Sequence, residues 1–423
     1  MTHTRRVQLL AMLVVLVACV LALAACAGNE SGSANPATTA ETAGSGPATA
    51  PAPGTTRSTQ PSVGRPYAAT GAGALTGPAR AARTLVYVPN QQAATVQVID
   101  PSTDTVIATY PVARSPEHVV PSHDLATLWV NSDAGNTLTA IDPSTGKIRG
   151  TVTADDPYNL YFTPDGSEAL VMAERLKRID VRDPTTMALR RSVPVPCRGI
   201  NHADFSADLT SILISCEFTG QLLVLDADVT AIRSVIDLNH ISTPGATSPA
   251  DSMSMPGAMG GPAGWLQPGA SSMPQDVRLA PDGTHFLVAD MLRNGVWVIN
   301  AATMAVDHFV PTGKGAHGIY PSRDAGSVYV SNRDEGSITV LDAATLSPAR
   351  TWKLPGGGSP DMGGVTADGT QLWLSGRYNS TVYVIDTATG ALLHSIPVRG
   401  GPHGLLVWPQ PGRFSLGHTG NMR

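Results

Sequence analysis

The sequence predicts an all-β fold, a seven-bladed β-propeller of four-stranded antiparallel blades whose ring is closed when the C-terminal strand joins the N-terminal blade. Three observations carry this: a strand phrase that recurs seven times, four strand signals inside each recurrence, and an unfinished unit at each end of the periodic region. Units of roughly 40–45 residues with four strands apiece are the mark of a propeller blade.

The phrase is a run of alternating β-formers closed by Asp or Asn and a turn. It ends at Asp100, Asp142, Asp183 in a degenerate copy, Asp226, Asn300, Asp342 and Asp386. Five of the six intervals span 41–44 residues, and the sixth, between Asp226 and Asn300, holds an insertion at about 240–272. Within the second unit, strand A is expected at about His118–Pro121, B at Thr127–Asn131, C at Leu138–Asp142 and D at Lys147–Val152. Turns such as Pro164-Asp165-Gly166 separate the strands, because Gly reaches positive φ and Asp hydrogen-bonds its own local backbone.

The ends predict closure. The first unit begins with a B strand at Leu85-Val86-Tyr87-Val88 and has no A strand before it. After the seventh unit, Pro402 to Trp408 reads as an A strand with no B, C or D to follow. Joining the two removes two sheet edges that would otherwise template aggregation. The propeller is therefore expected over 82–410, with a tail at 411–423.

Composition excludes other classes. The 42 Gly and 34 Pro argue against long helices, and 14% charged residues is too few for a wholly disordered polyelectrolyte. A net charge of −5 with four Lys lacks the footprint of a nucleic-acid binder, so no nucleic-acid partner is expected. A single apolar run, Val7 to Ala25, follows Arg5-Arg6 and ends Leu23-Ala24-Ala25-Cys26. That pattern reads as an export signal over 1–25, and it resembles a bacterial lipobox in which Cys26 is lipidated. The expected product is a monomeric lipoprotein held by its N-terminal lipid on the extracytoplasmic face of a bacterial membrane. Residues 26–81, rich in Ala, Thr, Pro, Gly and Ser, show no hydrophobic period and read as a disordered tether.

Tyr329-Val330-Ser331-Asn332, with looser versions at Tyr87-Val88-Pro89-Asn90 and Trp129-Val130-Asn131-Ser132, is similar to the YVTN-type repeat. About 82–410 thus resembles the YncE-like family of secreted seven-bladed propellers. The resemblance implies the fold, and a superfamily that includes haem d1 domains and propeller lactonases. It leaves function open, because propellers host many unrelated activities.

Alignment of the units places two residues per blade at the start of each A strand, around one mouth of the channel. They are Glu117-His118, Tyr158-Asn159, Asn201-His202, Gln275-Asp276, His317-Gly318, Gly363-Gly364 and His403-Gly404. The B–C loops on that face add Arg175, Arg293, Arg333 and Arg377, with Arg198 in a neighbouring connection. Imidazoles within a partial ring of guanidiniums suit a small anionic ligand, or a partner protein of the envelope. Solvated loop charges and water-filled channel contacts are the structural alternative. His118, His202, His317 and His403 could ligate a metal if their rings converge, although the ring geometry spreads them. Glu117 and His118 are adjacent on a strand and are expected to point opposite ways.

Met253, Met255, Met259 and Met273 in and beside the insertion suit either soft copper(I) or an adaptable apolar surface. Cys197 and Cys216 sit where an A–B hairpin brings its ends together, and a disulfide is expected in an exported protein. No catalytic motif appears, and Gly150 stands where a quinoprotein docking motif needs Trp. The function expected is non-catalytic binding of a ligand or protein at the channel mouth, with no cofactor assigned. The alternative is an enzyme or carrier, haem d1-like, metal-binding or lactonase-like, using the same mouth.

Overall fold

The computed structural model describes residues 65–242 and 266–423. The signal segment, Cys26, tether residues 26–64 and Met253, Met255 and Met259 lie outside the described residues. Within them the chain forms seven four-stranded antiparallel sheets. Six are built from consecutive strands, and the seventh joins Leu406–Trp408 to Leu85–Asn90, Thr95–Asp100 and Thr105–Pro111. The closing strand runs antiparallel to the first, pairing Trp408 with Leu85 and Leu406 with Tyr87.

Each blade runs outward from a largely buried A strand to a largely exposed D strand. In the second blade Pro116–Pro121 is buried along its length, whereas in Lys147–Thr153 only Ile148 and Val152 are partly covered. The Asp that ends each phrase makes the C–D turn. Asp142 Oδ1 accepts from the Ser144 and Thr145 backbone N–H groups at 2.8 and 3.2 Å, and Asn300 does the same for Ala302 and Thr303 at 3.1 Å. An Asx side chain there imitates the turn's own backbone bond. Apolar side chains fill the spaces between blades; one cluster sets Trp297, Phe286 and Val288 of one blade against Leu213, Leu222 and Val224 of its neighbour.

One expectation requires correction. Residues 65–81, assigned to the tether, pack on the propeller: Tyr67 donates to Leu279 O at 2.7 Å, Leu75 bridges Gly412, and Ala79 is buried in a core cluster. The tail 411–423 is also packed. Leu416, Met422 and Arg423 are at most 2% exposed, so the last residues are interior ones. Both segments lack strand periodicity, and tertiary contacts alone hold them.

Close strand approach explains the ring glycines. A Cβ at Gly363 would sit 1.8 Å from Trp373 O, and one at Gly404 would sit 2.1 Å from His118 Cδ2. Gly363→Ala is expected to lower stability by about 1–3 kcal/mol through forced backbone displacement. Gly150→Ala meets nothing within 4 Å and should be neutral; chemical denaturation of both variants checks this.

Candidate functional site in the central channel

The residues at the channel are placed by a repeated irregularity. In six blades the A–B pairing skips the positions at the start of the A strand: between Pro116 and His118, Pro157 and Asn159, Ile200 and Ala203, Pro274 and Val277, Ala316 and Ile319, and Pro360 and Gly363. A bulge of this kind re-aims side chains that strict alternation would send to opposite faces. Glu117 and His118 therefore both serve the channel, against expectation. Glu117 Oε2 lies 2.8 Å from His403 Nδ1, and His118 Nδ1 lies 3.0 Å from Tyr158 O.

At the mouth where the A strands begin, a recess of about 70 Å³ is lined by Glu117, Asp133, Glu174, Glu217, Arg333 and Arg377, with His317, His403, Tyr158, Gln275 and Met273. Four carboxylates face two guanidiniums there. Burial, then the charge of Asp133, raises Glu117 to about 7. Burial and the neighbouring Glu217 and Asp133 carboxylates push Glu174 well above the usual range. The Cys197–Cys216 disulfide, S–S 2.01 Å, ties the start of one A strand to the end of its B strand. Glu217 follows it directly and accepts from Asn201 Nδ2 at 2.6 Å.

The expected ring of four arginines is half present. Arg333 donates to Asp361 Oδ1 at 3.2 Å, and Arg377 Nη1 lies 3.7 Å from Asp361 Oδ2 and 3.9 Å from Glu117 Oε2. Arg175 turns to Asp156 at 2.7 Å, and Arg293 donates to Ser271 O at 2.7 Å where the insertion rejoins the blade. Every one of these guanidiniums already has an anionic or carbonyl partner.

Deeper in the channel the imidazoles converge, which the seven-fold spacing did not suggest. Ring centroids of His118 lie 5.5 Å from His202, 4.8 Å from His403 and 5.1 Å from His418; His202 and His418 are 4.9 Å apart. Two donor groups result: His118, His202 and His418, and His317, Asp361 and His403, each able to offer atoms within 4.8 Å of one another. In the first group His118 and His202 direct Nδ1 at oxygen acceptors, Tyr158 O at 3.0 Å and Asn201 Oδ1 at 3.1 Å, whereas His418 Nδ1 accepts from Asn159 Nδ2 at 3.0 Å, the Asn159 Oδ1 being taken by Leu160 N. All three Nε2 atoms are buried and lack a hydrogen-bond partner. Burial lowers His118 to about 3 and holds His202, His317, His403 and His418 well below the ordinary imidazole range. Each ring is therefore neutral at pH 7, the form that binds metal.

Asp276 points to the far side of this cluster. Its Oδ2 accepts from Ile319 N at 2.9 Å, while Oδ1 lies 3.7 Å from His418 Nε2. Four functional residues escaped the sequence alignment. Asp361 was displaced by the pair Gly363-Gly364; the Pro that precedes Glu117, Tyr158, Gln275 and His403 also precedes Asp361, and would have set that register. Glu174 and Glu217 follow B strands outside the recurring phrase, and His418 lies in the aperiodic tail.

Seven blades, a channel lined from bulged inner strands and a ring latched by the closing strand define a seven-bladed β-propeller. The description "YNCE-like beta-propeller" matches residues 65–190 and 262–412, and the chain belongs to that family. Among curated proteins none matches the sequence. A functionally unknown protein from Desulfotomaculum acetoxidans is similar in structure, at 16% identity and TM-score 0.58, over 78% of this chain and 100% of that one. Hydrazine synthase of Kuenenia stuttgartiensis is similar at 17% identity and TM-score 0.56, covering 73% and 94% of the two chains. A dihydro-heme d1 dehydrogenase is similar at 16% identity and TM-score 0.52, covering 77% and 75%. At these identities the likeness is one of fold.

Proposed function

We propose that this protein binds a divalent transition-metal ion, zinc above all, in the middle of its propeller channel, as an extracytoplasmic carrier or binding protein tethered through Cys26. The carrying observation is the trio His118, His202 and His418, each offering a ring nitrogen within 4.8 Å of the others, with every Nε2 buried and without a hydrogen bond. A buried polar atom left unpaired costs about 1–3 kcal/mol, and three in one place call for an occupant. Neutral imidazoles suit zinc, and the oxygen acceptors at the Nδ1 atoms of His118 and His202 fix those two rings as outer-sphere partners do at metal sites. His317, Asp361 and His403 form a second group nearer the mouth, but Arg333 and Arg377 already balance its carboxylate.

The recess argues against the other occupants. About 70 Å³ is far below the several hundred that a small organic ligand or tetrapyrrole fills. We assign binding and not turnover, since among the described residues the trio has channel wall and tail about it and no substrate-sized space beside it.

Zinc titration of the chelator-stripped protein against a competing indicator tests this. One tight equivalent per chain is expected, weakened at least about 100-fold in His118→Ala or His202→Ala, since outer-sphere losses alone reach 10–100-fold. His285→Ala, whose ring sits outside the channel between Asp282 and Asp307, should leave affinity unchanged. Absence of stoichiometric zinc from the wild-type titration would overturn the reading.

A further inference from the structure

The two mouths of the channel are built differently. One is the acidic recess where the A strands begin. Where they end, residues 411–423 fold back into the channel beside Tyr67, Arg278 and Tyr320. Ser415 and Met422 bridge across a hairpin whose turn is Gly417 to Gly420, and His418 sits at its tip. Leu416 O accepts from Phe162 N at 3.1 Å, and His418 N donates to Leu160 O at 2.9 Å, so the tip lies along an A strand. A Cβ at Gly417 would meet Leu160 O at 2.4 Å, and its φ of +113° suits Gly alone. The hairpin thus carries one imidazole of the trio to the channel centre from the opposite end to the recess.

We infer that the tail is a ligand-bearing plug: His418 completes the metal site, so metal occupancy and tail docking are thermodynamically linked. The inference rests on the metal reading above and extends it to control of the site. His118 and His202 belong to the ring of blades, and His418 to residues 411–423, which follow the closing strand and are held by tertiary contacts. With the tail out, two imidazoles remain in the inner group, short of the three protein ligands that a zinc centre takes as a minimum. A metal that binds the docked form better must favour docking by the same factor, because such coupling is reciprocal. Undocking then becomes a release route. It dismantles the site and opens the mouth in one event, without moving a blade.

The test uses the full chain and zinc alone as probe. His418→Asn is the informative variant, because His418 has φ +50° and Asn tolerates that backbone. The zinc-free variant should melt as the zinc-free wild type does, yet bind zinc at least about 100-fold more weakly. In the wild type, hydrogen exchange over 411–423 should slow at least 100-fold on zinc addition, and in His118→Ala it should not respond. Wild-type affinity in His418→Asn, or tail exchange indifferent to zinc in a protein that binds one equivalent, would overturn the plug while leaving the metal site standing. Failure of the wild type to bind zinc removes the metal reading itself, and the plug with it.

Discussion

Asp204→Ala is expected to lower the unfolding free energy by about 3–5 kcal/mol, the cost of breaking a buried ion pair by removing one partner. Asp204 and Arg423 are both fully buried. Asp204 Oδ1 accepts from Arg423 Nη2 at 2.7 Å, Asn421 Nδ2 at 2.6 Å and Phe205 N at 2.7 Å, while Oδ2 accepts from Leu279 N at 2.7 Å. One carboxylate therefore fastens the tail to two neighbouring A strands. Alanine would strand a guanidinium stacked 4.9 Å over Tyr67 and unpair two backbone donors. Denaturant midpoints measure the loss. Arg149→Ala, which removes the exposed partner of Asp142, should cost under about 1 kcal/mol in the same assay. If the two variants shift the midpoint equally, the tail is not anchored as described.

The second large effect belongs to the disulfide. Cys197 and Cys216 are 19 residues apart, and closing a loop of that length removes unfolded-chain entropy worth about 3 kcal/mol. A Cys197→Ser, Cys216→Ser double variant should lose that amount. Reductant should lower the wild-type midpoint by a matching amount and leave the variant's unchanged. Glu217 is expected to loosen with it, since the bridge ends at the residue before it, and the recess should lose part of its acidic lining. A wild-type midpoint insensitive to reductant would refute this account.

The fold was legible because its signal is periodic. Alternating β-formers followed by Asp specify a C strand and its turn, and seven copies with unmatched ends specify a latched ring. The second blade was placed to within about two residues of its strands at Pro116–Pro121, Leu128–Ser132, Thr137–Asp142 and Lys147–Thr153. The site was legible only in part. His118, His202, His317 and His403 were found because they share a register, but their meeting depends on bulges that break strand alternation, and no local pattern announces a bulge. His418 contacts Asn159 across 259 residues of sequence, a link only the folded chain reveals. Asp361 was lost to an alignment anchored on glycines when proline marked the true position.

The join between Leu406–Trp408 and Leu85–Asn90 links segments roughly 320 residues apart. Such a closure carries an ordering penalty of about 5 kcal/mol by loop-length scaling, met only after nearly the whole chain exists. During synthesis the early blades must wait as an open crescent with an unsatisfied inner edge. Maturation is then governed by arrival of the final segment, and folding of this kind, dominated by non-local contacts, is slow. The quality-control burden of such a molecule falls on the interval before its circle is sealed, when a chaperone that shields one strand edge would have its greatest effect.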